Sequence, residues 1–318
     1  MHDCHTPNRR EFLHKSAGGL LAAAIVPTAV SAAPAPSVPP QPATKPRIVP
    51  VPANYYQQFD AELARDVPGE GYGGWKKATL EFDLRRTAVV VMHAWDCGTP
   101  EQFPGWYRCV EYIPRANEIC RTVFPKLLSE VRAARVELFH VVSGGKHYQK
   151  LPGYERAQRL AGPPPKAPET IASDPTLARL RQFRSEHVFV GKHNQADVAR
   201  GFARLDFAPE ARPLGDEGVA ENGHQLFALC KAAGVNHLVY MGFAINWCLL
   251  LSPGGMHEMG ARGLMCSALR QATTAVENKE TARRQGAKEL ALWRVALAFG
   301  FVFDVDDFSA AIRAAPPA

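Results

Sequence analysis

The sequence has no hydrophobic run long enough to cross a membrane. A helix that spans a bilayer needs about 20 consecutive apolar residues, and the apolar stretch near the N-terminus is short and rich in Ala and Gly. Lys, Arg, Gly and Pro interrupt the other apolar runs. We therefore expect no membrane span in the mature protein.

Two further patterns are missing. The seven cysteines include no paired pattern such as C-x-x-C, and a domain of this size does not need bridges, so no disulfide framework is predicted. The 37 basic and 31 acidic side chains are mixed along the chain, which carries a formal charge of +6, so no basic face for nucleic acid is predicted. A small molecule is the expected partner, and the sequence leaves open whether identical copies associate.

The first 33 residues have the order of an export signal. Arg9 and Arg10 are followed by a Phe-Leu pair, an Ala-rich apolar stretch and small residues that offer cleavage after Ala32 or Ala33. Paired arginines in this context are typical of the twin-arginine pathway, which exports proteins to the periplasm or beyond. The predicted location is therefore periplasmic or secreted.

The remainder reads as a linker and one α/β domain. Residues 34–52 are rich in Pro and Ala, which predicts a stiff, extended linker, and residues 53–318 are long enough to bury one core. Short apolar runs alternate with segments of helical periodicity, which predicts a doubly wound, mostly parallel sheet with helices on both faces. The predicted strands are 87–92, 136–142, 187–190, 238–241 and 263–269, and the predicted helices are 113–134, 223–233 and 277–298.

Several polar residues follow the predicted strands. In an open parallel sheet, ligands bind beyond the carboxyl ends of the strands, and His93, Asp96, His147 and Cys248 all lie at such ends. At the start of a helix, free backbone amides favour a thiolate and can bind an oxyanion. Cys248 is thus a candidate nucleophile, although its apolar neighbours also suit an inert core cysteine.

Three stretches resemble the isochorismatase-like cysteine hydrolases, the superfamily of isochorismatase, nicotinamidase and N-carbamoyl amide hydrolases. TAVVVM followed by HAWD resembles the opening strand of that family, SGGKHY its second strand end, and AAGVNHLVYMGFAINWC its nucleophile block. The similar region runs from about Thr79 to Phe308. The resemblance implies a three-layer sandwich, a Cys–Asp–Lys triad with Cys248 as nucleophile, a cis peptide at Phe243–Ala244, and an oxyanion hole formed by the amides of Ala244 and Cys248.

The other two members of that triad are not at the matching positions. His93 stands where the family has its aspartate, and Asp96 takes that place only if the register shifts. A neutral imidazole can also accept a thiol proton. At the position of the family's lysine the nearest cation is Arg212, and Lys192 requires an insertion. The choice of base and the choice of cation both stay open.

Four residues near these strand ends are candidates to contact a substrate: Trp95, His147, Tyr148 and Asn246. Some members of the family hold a divalent metal through an aspartate and histidines. This chain offers too few such ligands near the second strand end, so we expect no metal and no other cofactor.

The predicted function is that of an exported hydrolase that cleaves a small amide, an ester or a related carbon–nitrogen bond with a cysteine nucleophile and a non-standard triad. Two alternatives stay open. The first is a catalytically silent, small-molecule-binding protein of the same fold. The second is a metal-dependent periplasmic enzyme that uses His93, Asp96 and His147.

Overall fold

The computed structural model describes residues 45–316. The export signal expected at residues 1–33, and residues 34–44 of the expected linker, lie outside this range. Within it, no helix combines the length and the apolar character that a membrane span requires.

The elements of the described chain are as follows. The strands are β1 Ile48–Gln57, β2 Gly74–Asp83, β3 Thr87–Met92, β4 Trp95–Asp96, β5 Glu137–Val141, β6 Asp206–Phe207, β7 Gly218–Ala220, β8 His237–Gly242, β9 Met265–Thr273 and β10 Val302–Phe303. The α-helices are α1 Pro104–Cys109, α2 Ile113–Thr122, α3 Phe124–Ala133, α4 Pro152–Ala161, α5 Pro175–His187, α6 Gln195–Ala203, α7 Gly223–Ala233, α8 Met256–Ala261, α9 Gly286–Ala298 and α10 Val305–Arg313.

Eight of the strands form one sheet, in the order β2, β1, β10, β9, β8, β3, β5, β7. The strands from β10 to β7 run parallel, whereas β1 is antiparallel to β2 and to β10. The short strands β4 and β6 pair separately. The predicted doubly wound, mostly parallel α/β sheet is confirmed.

The central strands are buried on both faces, as continuous apolar runs in parallel sheets predict. In β3, Val89 and Val91 face a core built with α2, α3 and α10. The alternate residues Ala88, Val90 and Met92 face a second core, built with α4, α7, α8 and α9. Because successive side chains of a strand point to opposite faces of the sheet, β3 packs against helices on both faces.

Three predicted elements differ from the structure. The helix expected at 113–134 is two helices that meet at Val123, because Pro125 has no amide hydrogen to continue the first. The strand expected at 187–190 is wrong, since His187 ends α5 and a turn follows. The helix expected from residue 277 begins only at Gly286.

The expected linker also ends earlier than residue 52. Strand β1 begins at Ile48, and its Val49 and Val51 are buried. Pro50 and Pro52 suggested a linker, but they alternate with these buried residues and pair with residues of β2. On its other side, β1 pairs with β10 only at Asn54. Proline has no backbone N–H to donate, so it fits a strand position that has no partner strand on one side.

Gly242 provides a test of how closely β3 and β8 approach. Its φ is +122°, and a Cβ there would lie 2.0 Å from the Met92 carbonyl oxygen. We expect Gly242→Ala to lower the free energy of unfolding by at least about 2 kcal/mol more than Gly263→Ala. Gly263 is the matched control, because its φ is +88° and no atom lies within 4 Å of an added Cβ. Equal losses in urea unfolding would contradict a backbone clash at Gly242.

Candidate active site

The site is built on the paired carboxyl ends of β3 and β8. The two strands are parallel and in register to their last residues, Met92 beside Gly242. The Phe243 amide donates to the Met92 carbonyl at 3.1 Å. The residues that follow each strand, beginning with His93 and Phe243, therefore leave the sheet at the same edge.

Cys248 lies in a π-helical turn, Ile245–Leu249, that begins directly after this edge. The peptide bond between Phe243 and Ala244 is cis. The Ala244 carbonyl accepts the amides of Trp247 at 3.3 Å and Leu249 at 3.1 Å. The amide of Cys248 is not among the donors to that carbonyl.

The side chain of Cys248 is among the buried residues of the second core. Burial raises the pKa of its thiol above the ordinary value, and the Ser252 side chain and the Ala244 backbone oppose that rise. No charged side chain of residues 45–316 contributes to the shift. The resting sulfur at neutral pH is therefore a thiol.

His93 follows β3 and is almost wholly buried, at 3% exposed. Its φ of +53° is uncommon outside glycine, and its ring stacks on Trp95 at 4.8 Å between centroids. Burial lowers the pKa of His93 to about 3. Its Nδ1 is buried and has no hydrogen-bond partner in residues 45–316. His93 is thus a neutral imidazole with a free nitrogen.

The other candidate base and both candidate cations are placed on the surface. Asp96 is exposed, and its carboxylate accepts the Gly98 amide at 2.9 Å. Arg212 pairs with Asp206 at 2.6 Å, with about half of each side chain exposed. Lys192 is exposed in a short 3-10 turn. None of the three shifts the pKa of Cys248.

The expected substrate contacts divide into two groups. Asn246 is already paired within the chain: its side-chain Nδ2 donates to the Val276 carbonyl at 2.8 Å, and its Oδ1 accepts the Val276 amide at 2.9 Å, so it fixes the loop after β9. Tyr148 is buried, and its hydroxyl donates to Glu221 at 2.8 Å.

Trp95 and His147 keep unused polar atoms. Trp95 Nε1 and both ring nitrogens of His147 are buried without a partner in the described chain. Ser143 Oγ and Thr274 Oγ1 share that property. Together with His93, these residues follow the ends of β3, β5 and β9. Each buried polar group that stays unpaired lowers the stability of the fold by about 1–3 kcal/mol. Such a row along one sheet edge is typical of a site for a polar ligand.

Sequence reasoning missed three residues of this edge. Ser252 lies four residues after Cys248, a helical spacing that could have revealed it. Tyr112 precedes α2 and packs against the core of α2, α3 and α10, and its pKa is raised well above the ordinary value first by burial and then by Cys248. Strand β9 continues to Thr273, past its predicted end at residue 269, and Thr274 follows it. The Thr274 carbonyl accepts the Ile245 amide at 2.7 Å.

A metal site does not assemble from the histidines and acids of the described range. Within it, no group of three or more His, Cys, Asp or Glu side chains is arranged to hold a metal ion. The metal alternative used His93, Asp96 and His147 as ligands. Of these, the Asp96 carboxylate is exposed and already accepts the Gly98 amide.

No protein-family model matches this chain, and no curated protein matches it. A cysteine hydrolase from Pseudomonas syringae pv. phaseolicola is similar in structure, with 14% sequence identity and a TM-score of 0.42 over 73% of this chain and 94% of that chain. An isochorismatase-like hydrolase from Alkaliphilus metalliredigens has 17% identity and a TM-score of 0.41 over 72% and 98%. An N-carbamoylsarcosine amidase from Thermoplasma acidophilum has 13% identity and a TM-score of 0.34 over 70% and 97%.

The class of protein follows from the architecture of this chain itself. It is an α/β protein with a doubly wound, mostly parallel sheet and a buried cysteine just past the carboxyl end of a central strand.

Replacement of Ser252 tests the hydrogen bond to the sulfur. Because the Ser252 hydroxyl lowers the pKa of Cys248, we expect Ser252→Ala to slow the alkylation of Cys248 several-fold at pH 8. Ser252→Thr keeps the hydroxyl and should restore the rate. Mass spectrometry of the peptide that contains Cys248 separates this thiol from the others. An unchanged rate in Ser252→Ala would show that the hydroxyl does not act on the sulfur.

Burial of His93 predicts a dependence of stability on pH. The pKa of about 3 in the folded protein lies below the ordinary value of about 6.5. The unfolded chain therefore binds more protons between these values, and stability falls as the pH falls through this range. In urea unfolding, we expect the free energy of unfolding to fall between pH 7 and pH 5 by about 2 kcal/mol less in His93→Gln than in the wild type. The exposed His257→Gln is the control, and identical losses in His93→Gln and wild type would contradict the prediction.

Proposed function

We propose that this protein is an exported, isochorismatase-like cysteine hydrolase that cleaves a small amide, an ester or a related carbon–nitrogen bond. The observation that carries the proposal is the setting of Cys248, a buried cysteine in the π-helical turn that begins directly after β8, beside the end of β3. Thiol attack on a carbonyl replaces one difficult step by two easier ones. The twin-arginine order of the N-terminus supports a periplasmic or secreted location.

In the proposed reaction, Cys248 Sγ bonds to the carbonyl carbon while His93 takes the thiol proton. The electron pair of the carbonyl moves to its oxygen, and the amides of Ala244 and Cys248 stabilise that charge. Collapse expels the amine or alcohol, which takes the proton from His93. Water then attacks the thioester, His93 accepts a proton from it, and the acid and the free thiol are released.

His93 is preferred to Asp96 as the base because of its location and protonation. It leaves the sheet beside Phe243, has a buried nitrogen without a partner in residues 45–316, and stays neutral because its pKa is about 3. Asp96 is exposed and already binds Gly98. The thiol pKa is raised and the imidazole pKa is lowered, so no ion pair forms at rest and proton transfer accompanies the attack.

This neutral pair also favours a second candidate function, a catalytically silent small-molecule-binding protein of the same fold. No charged side chain within residues 45–316 shifts the pKa of Cys248, and a nucleophile without activation is weak. The row of unpaired polar atoms suits a bound polar ligand in either case. We assign no metal to either function, because the His, Cys, Asp and Glu side chains of residues 45–316 form no group of three that could hold one.

Hydrolysis of a panel of small amides, N-carbamoyl compounds and esters distinguishes the two functions. We expect Cys248→Ala to lower the rate at least about 1000-fold, as loss of a nucleophile does. Cys266→Ala is the matched control, because Cys266 is equally free and buried but lies in β9. Hydrolysis that survives in Cys248→Ala would refute the proposed role. A wild type that binds members of the panel without cleaving them would establish the binding protein instead.

A further inference from the structure

Helix α5 is the least buried helix of the described chain. None of its residues is buried, and Leu180 and Phe183 are each 59% exposed. Val188, just past its end, is 64% exposed. Its N-terminus is nevertheless well formed, since the Asp174 carboxylate accepts the amides of Thr176 at 2.7 Å and Leu177 at 3.0 Å.

A helix in this situation lacks the usual source of stability. Isolated helices of fewer than about 12–15 residues are marginal in water, and most helices are stabilised by packing of an apolar face. In α5 that face consists of Leu177, Leu180 and Phe183, three residues apart. At 3.6 residues per turn, Arg179 lies one turn before Phe183, and Arg184 lies one turn after Leu180. The helix therefore presents apolar side chains with positive charges next to them.

A second exposed surface has the complementary character. The segment 58–72, between β1 and β2, exposes Phe59 at 56%, Leu63 at 85% and Val67 at 57%. It contains four carboxylates, Asp60, Glu62, Asp66 and Glu70, all exposed, and one arginine. That arginine, Arg65, is already paired with Glu62. The segment thus combines apolar side chains with excess negative charge.

We propose that α5 of one copy of this chain packs on segment 58–72 of a second copy. Both surfaces belong to one chain, each exposes large apolar side chains, and their charges are opposite. Burial of such side chains supplies the affinity, and the flanking charges fix the register. A closed symmetric assembly repeats the contact, so that two small surfaces add to one interface.

Sedimentation velocity of the mature protein over a range of concentrations tests this contact. We expect the wild type to sediment as a species of at least two copies. Phe183→Asp in the helix and Leu63→Asp in the segment should each yield the monomer. Leu160→Asp is the matched control, since Leu160 is also exposed, at 46%, but lies on α4. Circular dichroism should show that all three variants stay folded.

Charge reversal identifies the two surfaces as partners. We expect Arg179→Glu with Arg184→Glu to weaken association at least about tenfold, and Glu62→Arg with Asp66→Arg to do the same. An equimolar mixture of the two reversed proteins should associate again, because each now supplies the charge that the other needs. A monomeric wild type, association that survives Phe183→Asp, or a mixture that stays monomeric would overturn the proposal.

Discussion

The structure depends on the parallel pairing of β3 with β8. These strands are buried on both faces, and they remain paired to their last residues because Gly242 has no side chain between them. The Phe243 amide then bonds to the Met92 carbonyl beyond the last pair. This contact sets the starting point of both segments of the site, so the positions of His93 and Cys248 follow from the packing of the sheet.

The burial that holds the strands together also determines the electrostatics of the site. Removal of water raises the pKa of the Cys248 thiol and lowers that of the His93 imidazole, because low-dielectric surroundings disfavour the charged form of each. Within residues 45–316, the groups that lower the pKa of Cys248 against this rise are neutral, the Ser252 side chain and the Ala244 backbone. A reaction here must therefore develop its charge on the substrate, where oriented dipoles have the greatest effect.

The sequence allowed prediction of the elements whose pattern is local. Strand β3, helix α7 and the block around Cys248 were predicted because apolar runs and a glycine cap mark their ends. Strand β1 could not be predicted from its own residues, because it contains two prolines. They are tolerated because the neighbouring strand β10 is only two residues long. That condition depends on a strand some 250 residues later, and no local pattern contains it.

The site was predictable to a similar extent. Cys248 and His93 follow predicted strands, so their common edge could be inferred from topology. The commitment of Asn246 to Val276 could not, because it depends on the path of the loop after β9. The surface positions of Asp96 and Arg212 depend on the small β4–β6 pair, which is too short to leave a periodic signal.

The antiparallel contact of β1 with β10 joins the beginning of the domain to its end. Arg47, just before β1, donates from Nε to the Pro316 carbonyl at 2.7 Å. A nascent chain cannot complete this sheet until nearly all of the domain has left the ribosome, so the last folding step follows synthesis. A copy truncated before β10 lacks the strand that joins β1 and β2 to the rest of the sheet.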